Sequence, residues 1–308
     1  MLSIYLFELI IYISLSFFLS FIFKLNDKKK ISNNSNLNVF LIGGFLFSLV
    51  FIRYFDIKDI YLIFFILSFM VLGYLDDKFD IKVIIRFIFA FIIFYFFIIN
   101  NHNYLIKLYF LPDNYIFNII ISSIIFLGFL HMSNMTDGRN GLLSTNYLIV
   151  YLFIFLFLEN EPISKFEIIF LISLIIFTII NLFNISFLGN SGVMVLASIS
   201  YILFTSLYAS HVTNTIDILC LFSFQILDGL RVSFLRIKNN KNLFKKDLLH
   251  VHYNFENWLK GYFVYFVFFI LNLVFLYFFR NFSSGYFCLI FSTMCYLLVL
   301  LISKKKNT

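Results

Sequence analysis

Long apolar segments recur along this chain, and short polar segments separate them. Each is long enough, or nearly so, to cross a bilayer as a helix, which takes about 20 apolar residues. Apolar and polar residues do not alternate as in the strands of a transmembrane barrel, so helices are favoured. The pattern predicts an all-α, polytopic transmembrane helical bundle of about 11 spans, at approximately 2–23, 38–53, 60–75, 83–100, 115–132, 142–158, 166–182, 192–210, 215–227, 261–279 and 283–302.

The composition supports a membrane protein. Of the 308 residues, 62% are hydrophobic and 13% are charged. A soluble domain of this size needs more polar surface than such a chain can provide. The three cysteines lie within apolar segments, in neither a disulfide framework nor a CxxC metal spacing. We expect residues 1–308 to form a single integral membrane domain.

Basic residues are concentrated in alternate loops. The loops after odd-numbered spans, with the adjoining span ends and the C-terminal tail, contain 18 of the 23 Lys and Arg residues. The positive-inside rule therefore predicts that these loops are cytoplasmic, with the N-terminus outside and the C-terminus cytoplasmic. Membrane topology thus accounts for the net charge of +7, and we expect no nucleic-acid partner. The longest cytoplasmic loop is predicted at residues 228–260.

Four polar clusters interrupt the apolar background. They follow spans three, five, seven and nine, so the predicted topology places all four on the cytoplasmic face. Carboxylates, histidines and glycine turns that converge on one face are what an active site requires. The clusters are Gly73–Asp77, Asn134–Gly141, Phe187–Gly192 and Asp247–His252.

The first two clusters are rich in oxygen donors. Asp76 and Asp77 end a predicted span, where a carboxylate is either functional or part of a solvated helix end. Phosphoryl transfer commonly uses Mg²⁺ held by such oxygens, so a base and a metal-organising acid are the functional interpretation. Asn134, Asp137 and Asn140 follow span five, where an ordinary Asx turn is the alternative to a ligand-binding loop.

The last two clusters suggest phosphate binding. Phe187–Gly192 opens a helix, whose N-terminal N–H groups favour an anion. The 228–260 segment is the most basic part of the chain. It either contacts anionic lipid headgroups or forms a pyrophosphate clamp that contains His250 and His252. A zinc helix is not expected, since two histidines at i and i+2 do not share a helix face.

Taken together and in order, the four clusters resemble the polyprenyl-phosphate N-acetylhexosamine-1-phosphate transferases of glycosyltransferase family 4, the MraY/WecA type. The resemblance covers roughly residues 43–253, and the short Asp-x-x-His-x-His form is closer to the WecA branch. The family's Asp-Asp motif corresponds to Asp76 and Asp77, and its Asn-x-x-Asp-Gly motif to Asn134, Asp137, Gly138, Asn140 and Gly141. Its Phe-Met-Gly-Asp-Ser-Gly motif corresponds to Phe187–Gly192, and its His motif to Asp247, His250 and His252.

The resemblance implies transfer of a sugar 1-phosphate from a UDP-amino sugar to undecaprenyl phosphate, with release of UMP, to initiate a lipid-linked cell-envelope glycan. It implies Mg²⁺ as cofactor, with Mn²⁺ as the alternative ion, and a multi-pass protein of the bacterial inner membrane whose active site is cytoplasmic. The implied catalytic residues are Asp76, Asp77, Asp137, His250 and His252. The implied substrate-binding residues are Asn134 and Asn140 at the nucleotide, Phe187 on uracil and Arg236 at the diphosphate, and the implied metal ligands are Asp77 and Asn190.

One departure from the family leaves alternatives open. Asn190 stands where the family has a metal-binding Asp, which removes one negative charge from the expected site. A catalytically weakened or inactive homologue is therefore one alternative, and a transporter of lipid-linked sugars is another. The chain shows no internal repeat of the kind that transporters often have. The sequence identifies neither the amino sugar nor the glycan pathway. Membrane lipids are expected partners, and whether the protein forms a homodimer is left open.

Overall fold

A computed structural model describes most of the chain as helices. The described residues are 2–27, 39–55, 60–106, 114–138, 140–158, 164–210, 215–241, 249–255, 258–279 and 286–304. Within them, eight helices are long and apolar enough to cross a membrane. The prediction of an all-α, polytopic membrane protein is confirmed, while eleven spans and their orientation stay predictions.

The chain divides into two compact units. Unit 1 comprises Met1–Phe155 with Glu161–Ala209, and unit 2 comprises Leu156–Asn160 with Ser210–Thr308. The helices of unit 1 are α1 (Leu2–Ile22), α2 (Gly43–Tyr54), α3 (Ile60–Phe79), α4 (Val83–Asn100), α5 (Tyr115–Thr136), α6 (Leu142–Phe153), α7 (Lys165–Leu182) and α8 (Gly189–Ala209). Those of unit 2 are α9 (Thr215–Leu221), α10 (Ser223–Lys238), α11 (Trp258–Phe279) and α12 (Tyr286–Lys304).

Helix α8 is the central helix of unit 1. From Ser191 to Ile202 every residue is buried, and α2, α3 and α5 pack against the helix. By contrast, α4 exposes a row of isoleucines, Ile84, Ile88 and Ile92, at the i, i+4 spacing of one helix face. An exposed apolar face of this kind is suited to lipid, whereas a helix that is buried on all sides belongs to a core. Unit 1 is therefore built around α8.

A small sheet lies beside the N-termini of α2 and α8. Its strands are β1 (Asn26–Asp27), β2 (Val39–Leu41) and β3 (Ser186–Phe187). β1 pairs antiparallel with β2, and β2 pairs parallel with β3 with Phe40 opposite Ser186. Strands of two or three residues leave no alternating pattern in a sequence, so the all-α interpretation omitted them. The parallel pair places the starts of α2 and α8 next to each other.

The structure corrects the ninth predicted span and the start of the loop that follows it. A continuous helix over 215–227 is wrong, since α9 ends at Leu221 and α10 runs from Ser223 to Lys238. Residues 228–238 are therefore helical. The buried face of α10 includes Gln225, Asp228 and Arg236, so this helix has no continuous apolar run by which to detect it. Residues 242–248 and 256–257 of the predicted loop, including Asp247, lie outside the described residues.

Candidate active site

The carboxylate of Asp77 lies at the N-terminus of α8. Its Oδ1 accepts the backbone N–H of Asn190 at 2.8 Å, and its Oδ2 accepts that of Ser191 at 3.1 Å. These N–H groups have no partner within their own helix, and the positive end of the helix dipole favours an anion there. Asp77 of α3 thus caps α8 from another helix. The two residues predicted as metal ligands, Asp77 and Asn190, are neighbours.

Glycines allow this close approach. An added Cβ at Gly73 would overlap the backbone of Ser191, and one at Gly44 would lie 2.7 Å from the Cβ of Ser191. Gly189 has a φ of +72°, and a Cβ there would lie 2.9 Å from Oδ2 of Asp77. Gly73 and Gly44 thus let α3 and α2 approach the start of α8 closely, and Gly189 accepts a positive φ beside Asp77. The sequence predicted an N–H site for phosphate here, and Asp77 occupies two of those N–H groups.

Asp76 has a different environment from Asp77. It is buried, and its Oδ2 accepts a hydrogen bond from the guanidinium of Arg86 on α4 in a salt bridge. A buried carboxylate without a counter-charge would be costly, so Arg86 balances its charge. Of the two adjacent aspartates, Asp76 therefore joins α3 to α4 and Asp77 joins α3 to α8.

The end of α5 and the loop that follows it contain Asn134 and Asn140, which are predicted to bind the nucleotide, and Asp137, which is predicted to be catalytic. Asn134 lies in the last turn of α5, and Asp137 is its C-cap residue, whose N–H donates to the carbonyl of Ser133 at 3.2 Å. Both are partly exposed. The side chain of Asn140 donates to Oδ1 of Asn184. The loop thus presents Asn134 and Asp137 while Asn140 is attached to the segment before β3.

Asn181 connects this loop to the small sheet. Its Oδ1 accepts the N–H of Gly141, and its Nδ2 donates to the carbonyl of Ser186 at 2.9 Å. The hydroxyl of Ser186 donates in turn to the carbonyl of Phe40 at 2.5 Å. A buried amide that satisfies two backbone groups holds both in place, because either would be costly to bury alone. Asn181 therefore fixes the loop relative to β3.

Phe187 is a core residue of the sheet. It is 7% exposed and packs with Leu25 and Leu41, with Tyr74 at the edge of the cluster. Stacking on uracil needs an exposed ring face, and little of this ring is exposed. Its assignment to uracil stays a prediction.

A second polar cluster lies in unit 2. One oxygen of Asp228, Oδ1, accepts Nη2 of Arg231 and the hydroxyl of Tyr296, each at 2.8 Å. The other, Oδ2, is 2.8 Å from Nδ1 of His250. Burial by itself would raise the pKa of Asp228, but the hydrogen bond and charge of His250 and the charge of Arg231 outweigh it and lower that pKa to about 2. Asp228 is therefore ionised at neutral pH.

The other predicted residues of unit 2 adjoin this cluster in the chain. His252 is buried, and its ring is stacked on that of His250 with centroids 5.5 Å apart and planes at 10°. Arg236 is buried on α10, two turns after Asp228. The structure thus brings His250 and His252 together in unit 2, and it brings Asp77 and Asn190 together in unit 1.

The comparison with known families matches the middle of the chain. Residues 60–210 match the model of glycosyl transferase family 4. This segment runs from α3 to the end of α8 and includes Asp76, Asp77, Asp137 and Asn190, but not Asp228 or His250. Among curated proteins, none matches the chain in sequence.

The match to glycosyl transferase family 4 raises the question of Mg²⁺. Among the described residues, no group of three or more His, Cys, Asp or Glu side chains could hold a metal ion. Phosphoryl-transfer sites usually bind Mg²⁺ through one or two carboxylates, with waters and substrate phosphates as the other ligands. A carboxylate has about four acceptor positions, and the two N–H groups use only part of those on Asp77. Asp77 therefore keeps acceptor positions for a cation, and the adjacent residue Asn190 carries an amide oxygen, a group that can also ligate Mg²⁺.

Several residues of these two clusters were not predicted as site residues. Arg86 counted only as a positive-inside charge, and Asn181 belongs to no polar cluster of the sequence. Asp228 contacts the predicted His250, and Arg231 and Tyr296 contact Asp228. In the chain these three residues lie up to 46 positions from the histidine. An isolated Arg or Asn inside an apolar helix is a usable signal, because such a residue needs a partner.

Proposed function

We propose that the protein transfers an N-acetylhexosamine 1-phosphate from a UDP-amino sugar to undecaprenyl phosphate and releases UMP. The observation that carries this proposal is Asp77, held against Asn190 at the start of α8 within the segment that matches glycosyl transferase family 4. The product would begin a lipid-linked cell-envelope glycan at the cytoplasmic face of a bacterial inner membrane.

The proposed reaction is an in-line phosphoryl transfer. An oxygen of the lipid phosphate forms a bond to the phosphorus that carries the sugar. The bond from that phosphorus to the oxygen shared with the second phosphorus breaks, and its electron pair leaves with UMP. Such reactions depend on positioning and on charge neutralisation more than on covalent help from the protein. Rigid placement of oxygen donors is therefore the relevant property of the site.

Asp77 is the better candidate of the two aspartates for the reacting phosphates. Asp76 is buried against Arg86, so its charge is already balanced. The backbone N–H groups of Asn190 and Ser191 leave acceptor positions on Asp77 for a proton of the lipid phosphate or for a cation. Bound Mg²⁺, held by Asp77 and Asn190, would supply positive charge to the diphosphate.

The remaining predicted residues bind the donor in this proposal. Asn134 and Asp137, partly exposed at the end of α5, hold the nucleotide, while Asn140 orients the loop through Asn184. His250, His252 and Arg236 would contact the diphosphate, as the resemblance implies.

A weakened or inactive transferase is the second candidate, and Asn190 is the observation that favours it. An amide oxygen can bind Mg²⁺ but lacks the charge of the carboxylate that the family has at this position. If Asn190 limits the reaction, the substitution Asn190→Asp restores the charge beside Asp77.

The test is UMP release by purified protein in detergent with undecaprenyl phosphate, Mg²⁺ and a panel of UDP-amino sugars. The variants are Asp77→Asn, Asn190→Asp and a matched control, Asp80→Asn, which changes an exposed aspartate three residues beyond Asp77. Asp80 has a φ of +50°, which asparagine accepts readily, so this control leaves the backbone unstrained.

Three outcomes distinguish the candidates. UMP release that is lost in Asp77→Asn and kept in Asp80→Asn supports the transferase and identifies the donor sugar. No release by the wild type but release by Asn190→Asp supports an inactivated homologue. No release by either protein refutes catalysis and leaves a binding or transport function.

A further inference from the structure

Asp228 connects three parts of unit 2 through one carboxylate. Arg231 lies one turn along the same helix, Tyr296 lies on α12, and His250 precedes the short 3₁₀ helix Val251–Tyr253. Arg231 and Tyr296 both donate to Oδ1, and the N–H of Val251 donates to the same oxygen at 3.2 Å. The orientation of the carboxylate is therefore fixed by contacts that do not involve the imidazole.

The remaining oxygen is directed at the imidazole of His250. Oδ2 lies 2.8 Å from Nδ1, and its other contact, with the N–H of Val251, is longer at 3.4 Å. An ionised carboxylate can only accept hydrogen bonds, so Nδ1 must carry the proton. Nε2 is then the nitrogen left for other contacts: it can accept a proton in the neutral ring, and once protonated it can donate a hydrogen bond to a phosphate oxygen.

Among the described residues, Asp228 is the carboxylate that contacts the ring of His250. Asp228 contacts it from α10, Arg231 and Tyr296 contact that carboxylate, and His252 stacks on the ring of His250. A stacked ring restrains the plane of the imidazole but does not determine which nitrogen is protonated. The carboxylate does.

We propose that Asp228 is a positioning residue, which holds His250 with Nδ1 protonated so that Nε2 is presented to the phosphates of the donor. This inference rests on the proposed function, because the resemblance assigns His250 to the diphosphate. Asp228 itself does not contact substrate in this scheme. A side chain that fixes the tautomer of a catalytic histidine can control activity without touching the reacting atoms.

The first measurement determines the tautomer directly. Protein with ¹⁵N-labelled histidine rings gives separate nitrogen signals for the two tautomers, and His250→Gln identifies the signals of His250 among the five histidines. Wild-type protein should show a protonated Nδ1 on His250. A bare Nδ1 would overturn the proposal, and this result requires no variant at residue 228.

The second measurement asks whether Asp228 acts through His250. UMP release is compared in wild type, Asp228→Asn, His250→Gln and the double variant. Asp228→Asn should lower kcat/KM about 10- to 100-fold, the size expected for one charge-assisted hydrogen bond, and should have little further effect once His250 is Gln. Equal losses in both backgrounds would show that Asp228 acts independently of His250 and would overturn the proposal.

Asp217→Asn is the matched control. It neutralises another buried carboxylate of unit 2, on α9, and should leave kcat/KM unchanged. Thermal unfolding of each variant separates loss of fold from loss of positioning, since a purely structural aspartate would lower stability in both backgrounds without this coupling in rate.

Failure of the proposed function is separately visible. If wild-type protein releases no UMP with any donor, the same four proteins are compared by their equilibrium affinity for UDP. The tautomer of His250 and the same non-additive loss in UDP affinity would support the positioning role. Additive or absent losses would overturn it, whatever the reaction.

Discussion

Replacing Arg86 by Met removes the positive charge beside Asp76 and keeps an apolar side chain of similar length on α4. The side chains of Arg86 and Asp76 are 10% and 2% exposed, so the remaining carboxylate would stay buried without a counter-charge. Removing one partner of a buried pair typically costs about 3–5 kcal/mol of stability. We expect Arg86→Met to lose this much, which is a large part of the free energy of unfolding of most proteins.

Unit 1 contains a matched control for this change. Arg53 is paired with Glu8 at 3.9 Å, but its side chain is 62% exposed. Pairs exposed to water contribute about 0–1 kcal/mol, so Arg53→Met should be nearly neutral. The two substitutions are chemically identical, and they differ in the burial of the ion pair that each one breaks.

The assay is thermal unfolding in detergent, followed by the loss of helical circular dichroism. Arg86→Met should unfold well below wild type and below Arg53→Met. The double variant Asp76→Asn/Arg86→Met should recover part of the loss, because it removes the unpaired charge. If Arg86→Met and Arg53→Met unfold together with wild type, the burial argument is refuted and Asp76 does not depend on Arg86.

Three further predictions concern other parts of the two units. Gly73→Ala should reduce UMP release and stability together, by about 1–3 kcal/mol in unfolding, since the new methyl group overlaps the backbone of Ser191. Asn181→Leu should lower stability by about 1–3 kcal/mol, because it leaves the N–H of Gly141 unsatisfied, and hydrogen exchange there should increase. Asp228 should contribute about 2 kcal/mol that is present above pH 4 and lost as the pH falls towards 2, since folding lowers its pKa; unfolding of Asp228→Asn should lack this dependence.

The features that follow from helix periodicity and membrane thickness were predictable from the sequence. Apolar segments of bilayer length identified the long helices, and the order of the motifs indicated that Asp77 and Asn190 belong to one site. Their contact through the N–H of Asn190 is consistent with that expectation.

Contacts between distant residues were not predictable in the same way. No pattern in the sequence indicates that Asp76 pairs with Arg86, because two charges in neighbouring spans can each face water. The helix that carries Asp228 was missed since its buried face is partly polar, and a search for apolar runs excludes it. Tyr296 lies in an apolar span, where its hydroxyl has no sequence feature that indicates a partner on α10.

The parallel pairing of β2 with β3 has a consequence for biosynthesis. Phe40 pairs with Ser186, so 146 residues of chain separate the two sides of this contact. The hydrogen bonds between them cannot form until β3 has been synthesised, after the chain for the first seven helices has left the ribosome. Contacts of such long sequence separation close late and slowly. The nascent N-terminal helices must therefore persist in the membrane without this pairing, until β3 completes the sheet that begins at residue 26.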